Sequence, residues 1–375
     1  MTSYDAIVLV SFGGPESPEE VMPFLERVTR GRGVPRDRLE AVSHHYLALG
    51  GVSPINDQNR ALLAALRPAL DRRGIAAPLA WGNRNSAPFI SDTLQALHDA
   101  GARRVLAIVT AAYASYSGCR QYREDLAAAL AEAGIDDMVV DKVRLYYDHP
   151  GFLEPFEDGI ADALCRLGES GVPFEAVRLL FTTHSVPLAM AEASGPPGAS
   201  RPGTGGAYVA QHEAAARAVV DGVHRRGLAA PPARLVYQSR SGSPAVPWLE
   251  PDINDALREA SADGASVVVV VPLGFVSDHV EVVWDLDREA QETAAEVGLG
   301  LVRVPTPGTH PAFVDALASL VEERVRDVPA AERPAVAGGP WPDRCPPGCC
   351  ANLRVARPAI AGSDGGTAEP ARATA

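Results

Sequence analysis

Short runs of consecutive apolar residues alternate in this chain with longer stretches whose apolar positions recur every three or four residues. The first pattern predicts strands buried on both faces, and the second predicts amphipathic helices packed over them. In the first half, strands are expected at Ala6–Val10, Leu79–Trp81, Arg104–Thr110 and Val139–Leu145. In the second half they fall at Val177–Phe181, Leu235–Gln238 and the five consecutive valines Val267–Val271. Between them the helical spacing runs through Glu19–Val28, Asn59–Arg73, Ile90–Ala100, Gln121–Ala133, Phe152–Leu167, Ala207–Arg226, Ile253–Ala262 and Pro311–Arg326. Strands alternating with helices imply an α/β chain with two doubly wound, parallel-sheet domains. The expected divisions are residues 1–150, 151–328 and a Pro-, Gly- and Ala-rich tail at 329–375, disordered from about Arg354. Functional loops then belong past the carboxyl ends of the strands.

Composition narrows the field of partners. A formal charge of −13 over 375 residues offers no basic field to recruit nucleic acid. No run of apolar residues is long enough to cross a bilayer, and the amino terminus lacks the pattern of a signal peptide. A soluble cytoplasmic protein is the expectation, and there the 5 cysteines are candidates for metal binding or simple burial rather than disulfides.

The strongest local signal is Val267–Glu289. Pro272 and Gly274 break the valine strand, and Ser277 and Asp278 offer helix-capping oxygens. A helix beginning at His279 then sets Glu281, Asp285 and Glu289 at i, i+4 and i+8 on one face. Such acids complement a helix dipole or face solvent in many proteins, yet here they leave the end of a buried strand. His184 leaves another strand end, inside Thr182-Thr183-His184-Ser185-Val186-Pro187. Should His184 meet Glu281 across a cleft, imidazole and carboxylate suit two tasks, binding a divalent metal or moving protons. Two groups are too few for a tight structural metal site, so a transient metal fits better than a resident one.

TTHSVP (Thr182–Pro187), LGFVSDHVEVVWDLD (Leu273–Asp287), YQSR (Tyr237–Arg240), GGVSP (Gly50–Pro54) and SFGGP (Ser11–Pro15) together resemble the ferrochelatases, in order from about residue 4 to 326. The resemblance implies two Rossmann-like domains around a porphyrin cleft and ATP-independent insertion of Fe2+ as a substrate. It implies that His184 faces the pyrrole nitrogens with Glu281 as its acidic partner, both touching iron or protons. Asp278, His279, Asp285 and Glu289 would surround them as a polar shell, His279 serving either directly or only at the helix start. Phe12, Arg30, Arg32, Tyr46, Ser53, Tyr122 and Trp248 fall at porphyrin-contact positions, and His45 stands where relatives often carry arginine. Phe12 replaces a tyrosine whose phenol can ligate iron in Bacillus-type enzymes, so axial coordination must come from elsewhere.

The branch resembled most closely is the actinobacterial one, which implies coproporphyrin III as substrate; its four propionates suit the basic loop Thr29–Pro35 and the planar fork of arginine. Protoporphyrin IX, a sibling chelatase reaction, or a non-enzymatic tetrapyrrole carrier are the alternatives. The same branch implies a [2Fe–2S] cluster on Cys345, Cys349 and Cys350 of CPPGCC, with Cys165 as the expected fourth ligand and Cys119 as its competitor. Zinc or an empty thiol cluster are the other readings of these cysteines.

Overall fold

The computed structural model describes residues 2–31, 33–198, 203–241, 245–336 and 339–362. Its first sheet holds β1 (Ala6–Ser11), β2 (Leu79–Asn83), β3 (Arg104–Val109) and β4 (Val139–Lys142), all parallel, in the order β2-β1-β3-β4. The second holds β5 (Val177–His184), β6 (Ala233–Gln238), β7 (Val267–Val271) and β8 (Gly300–Arg303), parallel again, in the order β6-β5-β7-β8. The two orders are the same, the first strand of each half sitting inside and the second at an edge. Every carboxyl end of a sheet therefore opens on one side, where ligands of doubly wound sheets bind.

Alternation within strands decides what each layer packs against. Val269 and Val271 of β7 point into a core that both sheets share, together with Ile7, Leu9, Leu106, Ile108, Leu179 and Phe181. That core is filled by α3 (Ile55–Arg72), α6 (Pro150–Glu169), α8 (Gly206–Arg225) and α12 (Pro311–Val325). Val268 and Val270 point the other way, towards α9 (Ile253–Ala262) and α11 (Ala290–Glu296). The matching outer layer of the first sheet is α4 (Ile90–Asp99) and α5 (Gln121–Glu132). None of the five valines exceeds 9% exposure, so each contributes about 1.5–3 kcal/mol relative to an exposed position.

Three elements differ from expectation. A helix α2 (Arg36–Ala48) follows α1 (Pro18–Val28), although the sequence showed no helical period there. It buries only Leu39, Ser43 and Tyr46, too few apolar positions to register as a stripe. β8 has no buried residue, being an edge strand, and so lacks the apolar run that marks its neighbours. A short α7 (Leu188–Glu192) follows the TTHSVP segment.

The tail is also more ordered than its composition suggests. Residues 354–362 pack on the first half: Ile360 is buried in the outer core, its carbonyl accepting from Arg123 Nε at 2.6 Å. Residues 363–375 lie outside the described residues. Upstream, fully buried Arg144 binds Asp148 at 2.7 Å and Glu323 at 2.9 Å, and donates to the carbonyl of Pro334 at 2.7 Å. Asp343 of the tail pairs with Arg324 of α12 at 3.0 Å, so the tail is tied to both halves by charge as well as by apolar contact. Among the described residues no helix is long and apolar enough to cross a membrane.

Candidate active site

The carboxyl ends of β5 and β7 set the geometry. His184 is the last residue of β5, paired in register with Gln238. The chain leaving β7 crosses directly over β5, with the Gly274 amide bonded to the Thr182 carbonyl at 3.0 Å. A Cβ on Gly274 would lie 2.1 Å from Thr183 Oγ1, so only glycine permits this approach. The crossing delivers α10 (Val280–Trp284) beside β5, and Glu281 Oε2 comes to 3.6 Å from His184 Nε2. The side chains are 33% and 47% exposed, respectively, so the pair faces open space rather than the core.

His184 Nδ1–H donates to the Ser185 carbonyl at 2.5 Å, which leaves Nε2 for Glu281 or a ligand. Burial works against the imidazolium, but the Glu281 carboxylate outweighs it and holds His184 above the usual histidine range. For Glu281, burial alone would favour the neutral acid; the facing imidazoles of His184 and His279 instead keep it well below the usual carboxylate range. The result is a matched acid–base pair.

The acid column is not one regular helix. Asp285–Glu289 forms a single π-turn between α10 and α11. In a straight α-helix, residues four apart drift by about 40° per step. The wider turn offsets that drift, a device seen at functional sites. The two farther acids are already engaged. Asp285 accepts from Gln238 Nε2 at 3.2 Å and from the Ser239 hydroxyl, and Ser239 holds a left-handed φ of 63° to make that contact. Glu289 accepts from Trp284 Nε1 at 2.7 Å.

Burial, opposed in part by Ser239 and reinforced by Glu281 and Glu289, pushes Asp285 up to about 7. Between its ordinary value of 3.8 and that value, the folded protein keeps a proton the unfolded chain has released, so stability falls as pH rises through the window. Asp285→Asn removes this dependence. In urea titrations at a series of pH values, the variant is expected to gain on the wild type between about pH 4 and 7 and level off above. A difference independent of pH would contradict the assignment.

Asp278 and His279 play different parts from Glu281. Asp278 turns away to Arg303, which grips it at 3.0 Å and Asp287 at 2.6 Å, pinning both sides of the segment that carries Glu281. The Asp278 amide donates to Gln58 Oε1 of α3 at 2.8 Å, tying this turn to the first half. His279 occupies the N-cap position of α10 with its ring edge-on to Phe275, and burial lowers its pKa.

The opposite wall comes from the first half. The SFGGP and GGVSP turns touch, with the Ser53 amide donating to the Pro15 carbonyl at 2.9 Å. A Cβ on Gly14 would meet Ser53 Cβ at 2.5 Å. Phe12, Phe24 and Tyr46 pack as an aromatic group against Val280 of α10, so Tyr46 is buried beside the acidic helix. His45 stacks flat on Trp284 at 4.1 Å, joining α2 to the π-turn segment. Trp248 is half-buried and pairs by its backbone with Pro187, next to the His184 loop. Arg30 is exposed just past α1; Arg32 lies outside the described residues.

One charged group on this wall had no signal in the sequence beyond its place after β2. Arg84 lies 4.6 Å above the Tyr122 ring and 5.5 Å from that of Phe12, paired with Asp125 at 2.5 Å. It therefore joins two of the expected porphyrin contacts.

The cysteines gather elsewhere, and one expectation is corrected. Cys165 is exposed on α6, while Cys119 is buried with Cys345, Cys349 and Cys350. Cys119 sits in a second π-turn, Tyr116–Arg120, which leads into α5. Helix α6 turns Cys165 to solvent, whereas the loop leaving β3 turns Cys119 inwards beneath the tail. The four thiols contact one another in a ring: Cys119 meets Cys345 and Cys350, and Cys349 meets Cys345 and Cys350, the last at 3.9 Å. Hydrogen bonds from the Cys119 and Cys349 thiols hold Cys345 well below the usual thiol range, with Lys142 and Arg123 adding to the effect. Lys142 is the chain's only lysine, and it is buried. Among the described residues, no three His, Cys, Asp or Glu side chains close on a single point as a metal chelate.

Comparison with known proteins identifies the family. A family model described as Ferrochelatase matches residues 4–325. The chain is 52% identical to a protein of Leifsonia xyli subsp. xyli named coproporphyrin III ferrochelatase, over 96% of this chain and 94% of that one. A protein of the same name from Streptomyces coelicolor is 51% identical, with 96% of each chain covered. A Rhodopirellula baltica protein named ferrochelatase is 44% identical, again over 96% of each.

Proposed function

Because this chain belongs to the ferrochelatase family, we propose that it inserts Fe2+ into coproporphyrin III to give Fe–coproporphyrin III, without ATP. The observation that carries the reading is the His184–Glu281 pair, partly open and held by two strand ends. Metallation requires two pyrrole N–H protons to leave and a hydrated Fe2+ to shed water. In this reading the porphyrin enters alongside the wall formed where Phe12 and Tyr46 pack on α10, its face against His184. The Nε2 of neutral His184 accepts the two pyrrole protons in turn, since Nδ1 is already committed to Ser185. Glu281 stabilises each imidazolium so formed and passes its proton outward to solvent before the next is taken. Asp285 and Glu289 lie farther along the same acidic side and serve as the polar track. Phe12 has no hydroxyl, so it shapes the slot and does not ligate iron.

Support for the substrate comes from relatives at about half identity that carry the name coproporphyrin III ferrochelatase. Arg30 and Arg32 would meet propionates at the rim, and Arg84, Ser53, Tyr122 and Trp248 would line the slot. A substrate with four propionates is water-soluble, so the reading places the reaction in the cytoplasm. Arg30→Ala is expected to raise KM for coproporphyrin III about threefold with kcat little changed, as befits one exposed ion pair. Steady-state rates over a range of porphyrin concentrations check this, and an unchanged KM would remove Arg30 from the rim.

We also propose a [2Fe–2S] cluster held by Cys119, Cys345, Cys349 and Cys350. Four buried thiols in mutual contact, with no carboxylate or imidazole among them, are a soft donor set, suited to iron–sulfur ligation and unsuited to hard cations. When bound, such a cluster supplies a covalent tie between the β3 exit loop and the tail. The chain's own residues prepare the place: Lys142 and Arg123 favour the Cys345 thiolate, and the Gly195 amide donates to Cys350 Sγ at 3.2 Å.

A further inference from the structure

Behind His184 lies a buried polar group that takes no part in the reading above. Tyr208 of α8 places its hydroxyl 2.8 Å from the His184 carbonyl and 2.8 Å from Thr183 Oγ1. His212, one turn further along α8, lies 2.9 Å from the same Thr183 oxygen through Nε2 and 2.7 Å from the Tyr208 carbonyl through Nδ1. Burial lowers His212 to about 3, so the ring is neutral. Its one N–H therefore belongs to Nδ1 and points at the Tyr208 carbonyl, and Nε2 accepts from Thr183. The Thr183 oxygen is then left to accept from Tyr208, whose single proton faces both Thr183 and the His184 carbonyl. Tyr113 stacks on the other face of His212 at 3.6 Å and closes the group. No member reaches the open side of His184, which excludes a proton exit by this route.

Tyr208 is tied at its other end as well. Its amide donates to Ser194 Oγ at 2.7 Å. The neighbouring Gly195 exchanges two bonds with the tail: the Cys350 amide donates to the Gly195 carbonyl at 3.0 Å, and the Gly195 amide donates to Cys350 Sγ at 3.2 Å. A continuous series of short contacts thus runs from Cys350 through Gly195 and Ser194 to Tyr208, and from its hydroxyl to the strand end bearing His184.

We propose that Tyr208 is a positioning residue for His184, and that through Ser194 and Gly195 it sets the imidazole according to the seating of the Cys350 loop. This rests on His184 being the group that meets the porphyrin. The mechanical basis is the last peptide of β5: the Tyr208 hydroxyl holds the His184 carbonyl, and with it the direction in which Nε2 approaches Glu281. A small misplacement there costs rate rather than affinity, because the porphyrin is held by other residues.

Tyr208→Phe keeps the ring against His212 and removes only the hydroxyl. The expected result is a kcat roughly tenfold lower, from the loss of the one donor shared between the His184 carbonyl and Thr183. KM for coproporphyrin III should stay within about twofold, and the thermal midpoint within a few degrees. Ser194→Ala should lower kcat less, and the double variant should be no slower than Tyr208→Phe, since both act through one connection. Visible iron–sulfur absorption of the as-isolated protein should be unchanged in both, which separates positioning from loss of the cluster. A Tyr208→Phe kcat within twofold of wild type, a loss shared with KM, or multiplying losses in the double variant would overturn the proposal. His184→Ala, measured alongside, distinguishes the two readings. If it is inactive while Tyr208→Phe is normal, the positioning role alone falls; if it retains turnover, the assignment of His184 falls first.

Discussion

His184→Ala is expected to lower kcat for Fe2+ insertion by about 10²–10⁴-fold, the range lost when a positioned acid–base group is removed. The residues proposed to hold the porphyrin, Phe12, Ser53 and Tyr122, are untouched, so KM should change little. Glu281→Gln keeps the shape of the site and removes the charge that raises the His184 pKa. With neutral His184 as the proposed proton acceptor, wild-type kcat should rise with pH through that raised value. In Glu281→Gln, burial of the imidazole is opposed only by the Ser185 carbonyl and Asp285, so the inflection should move to lower pH while the plateau rate falls. Anaerobic initial rates across pH measure both effects. Turnover within a few-fold of wild type in His184→Ala, or an inflection unmoved in Glu281→Gln, would contradict the roles assigned.

Cys119→Ser should abolish the proposed iron–sulfur cluster, whereas Cys165→Ser should keep it. The argument is spatial. Cys119 is buried among the three tail thiols, and Cys165 is exposed on the far side of α6. A serine hydroxyl at position 119 offers a harder donor in place of a thiolate, and a cluster with three remaining sulfurs loses both affinity and its charge-transfer bands. Iron content and visible absorption of anaerobically prepared protein should fall about tenfold or more in Cys119→Ser. The tail should loosen with it, since Cys345, Cys349 and Cys350 would hold nothing that crosses to the β3 exit loop. Retained absorption in Cys119→Ser with loss in Cys165→Ser would reverse the assignment.

The difference between those two cysteines shows where sequence reading reached its limit. Both lie in the right part of the chain, and only the fold shows that one faces the tail and the other faces water. Five valines in a row announced β7 because both faces of that strand are buried, and a polar segment after an apolar run announced His184. The edge strand β8 and the helix α2 had no comparable signal, since neither buries a full apolar face. The π-turns at Tyr116–Arg120 and Asp285–Glu289 have no compositional mark at all, because they arise from how a helix must be widened to fit its neighbours. Arg84 and Arg303 were unremarkable as arginines in an arginine-rich chain. Their importance comes from what they touch: the aromatic wall in one case and both sides of the Glu281 segment in the other.

The acid column shows a partial success of a different kind. Spacing correctly placed Glu281, Asp285 and Glu289 along one side, but it could not tell that Ser239 and Trp284 already engage the second and third acids. Glu281 alone is left facing His184. The proposed chemistry is therefore concentrated at one pair, with Asp285 tuned by burial and by repulsion from Glu281 and Glu289.

The most direct test is anaerobic incubation of the purified protein with Fe2+ and coproporphyrin III, following loss of the free-base porphyrin spectrum. The expected result is enzyme-dependent formation of Fe–coproporphyrin III, faster than metallation of protoporphyrin IX under the same conditions and abolished in His184→Ala. Tight porphyrin binding with no acceleration of metallation would instead mark a carrier and contradict the proposed function.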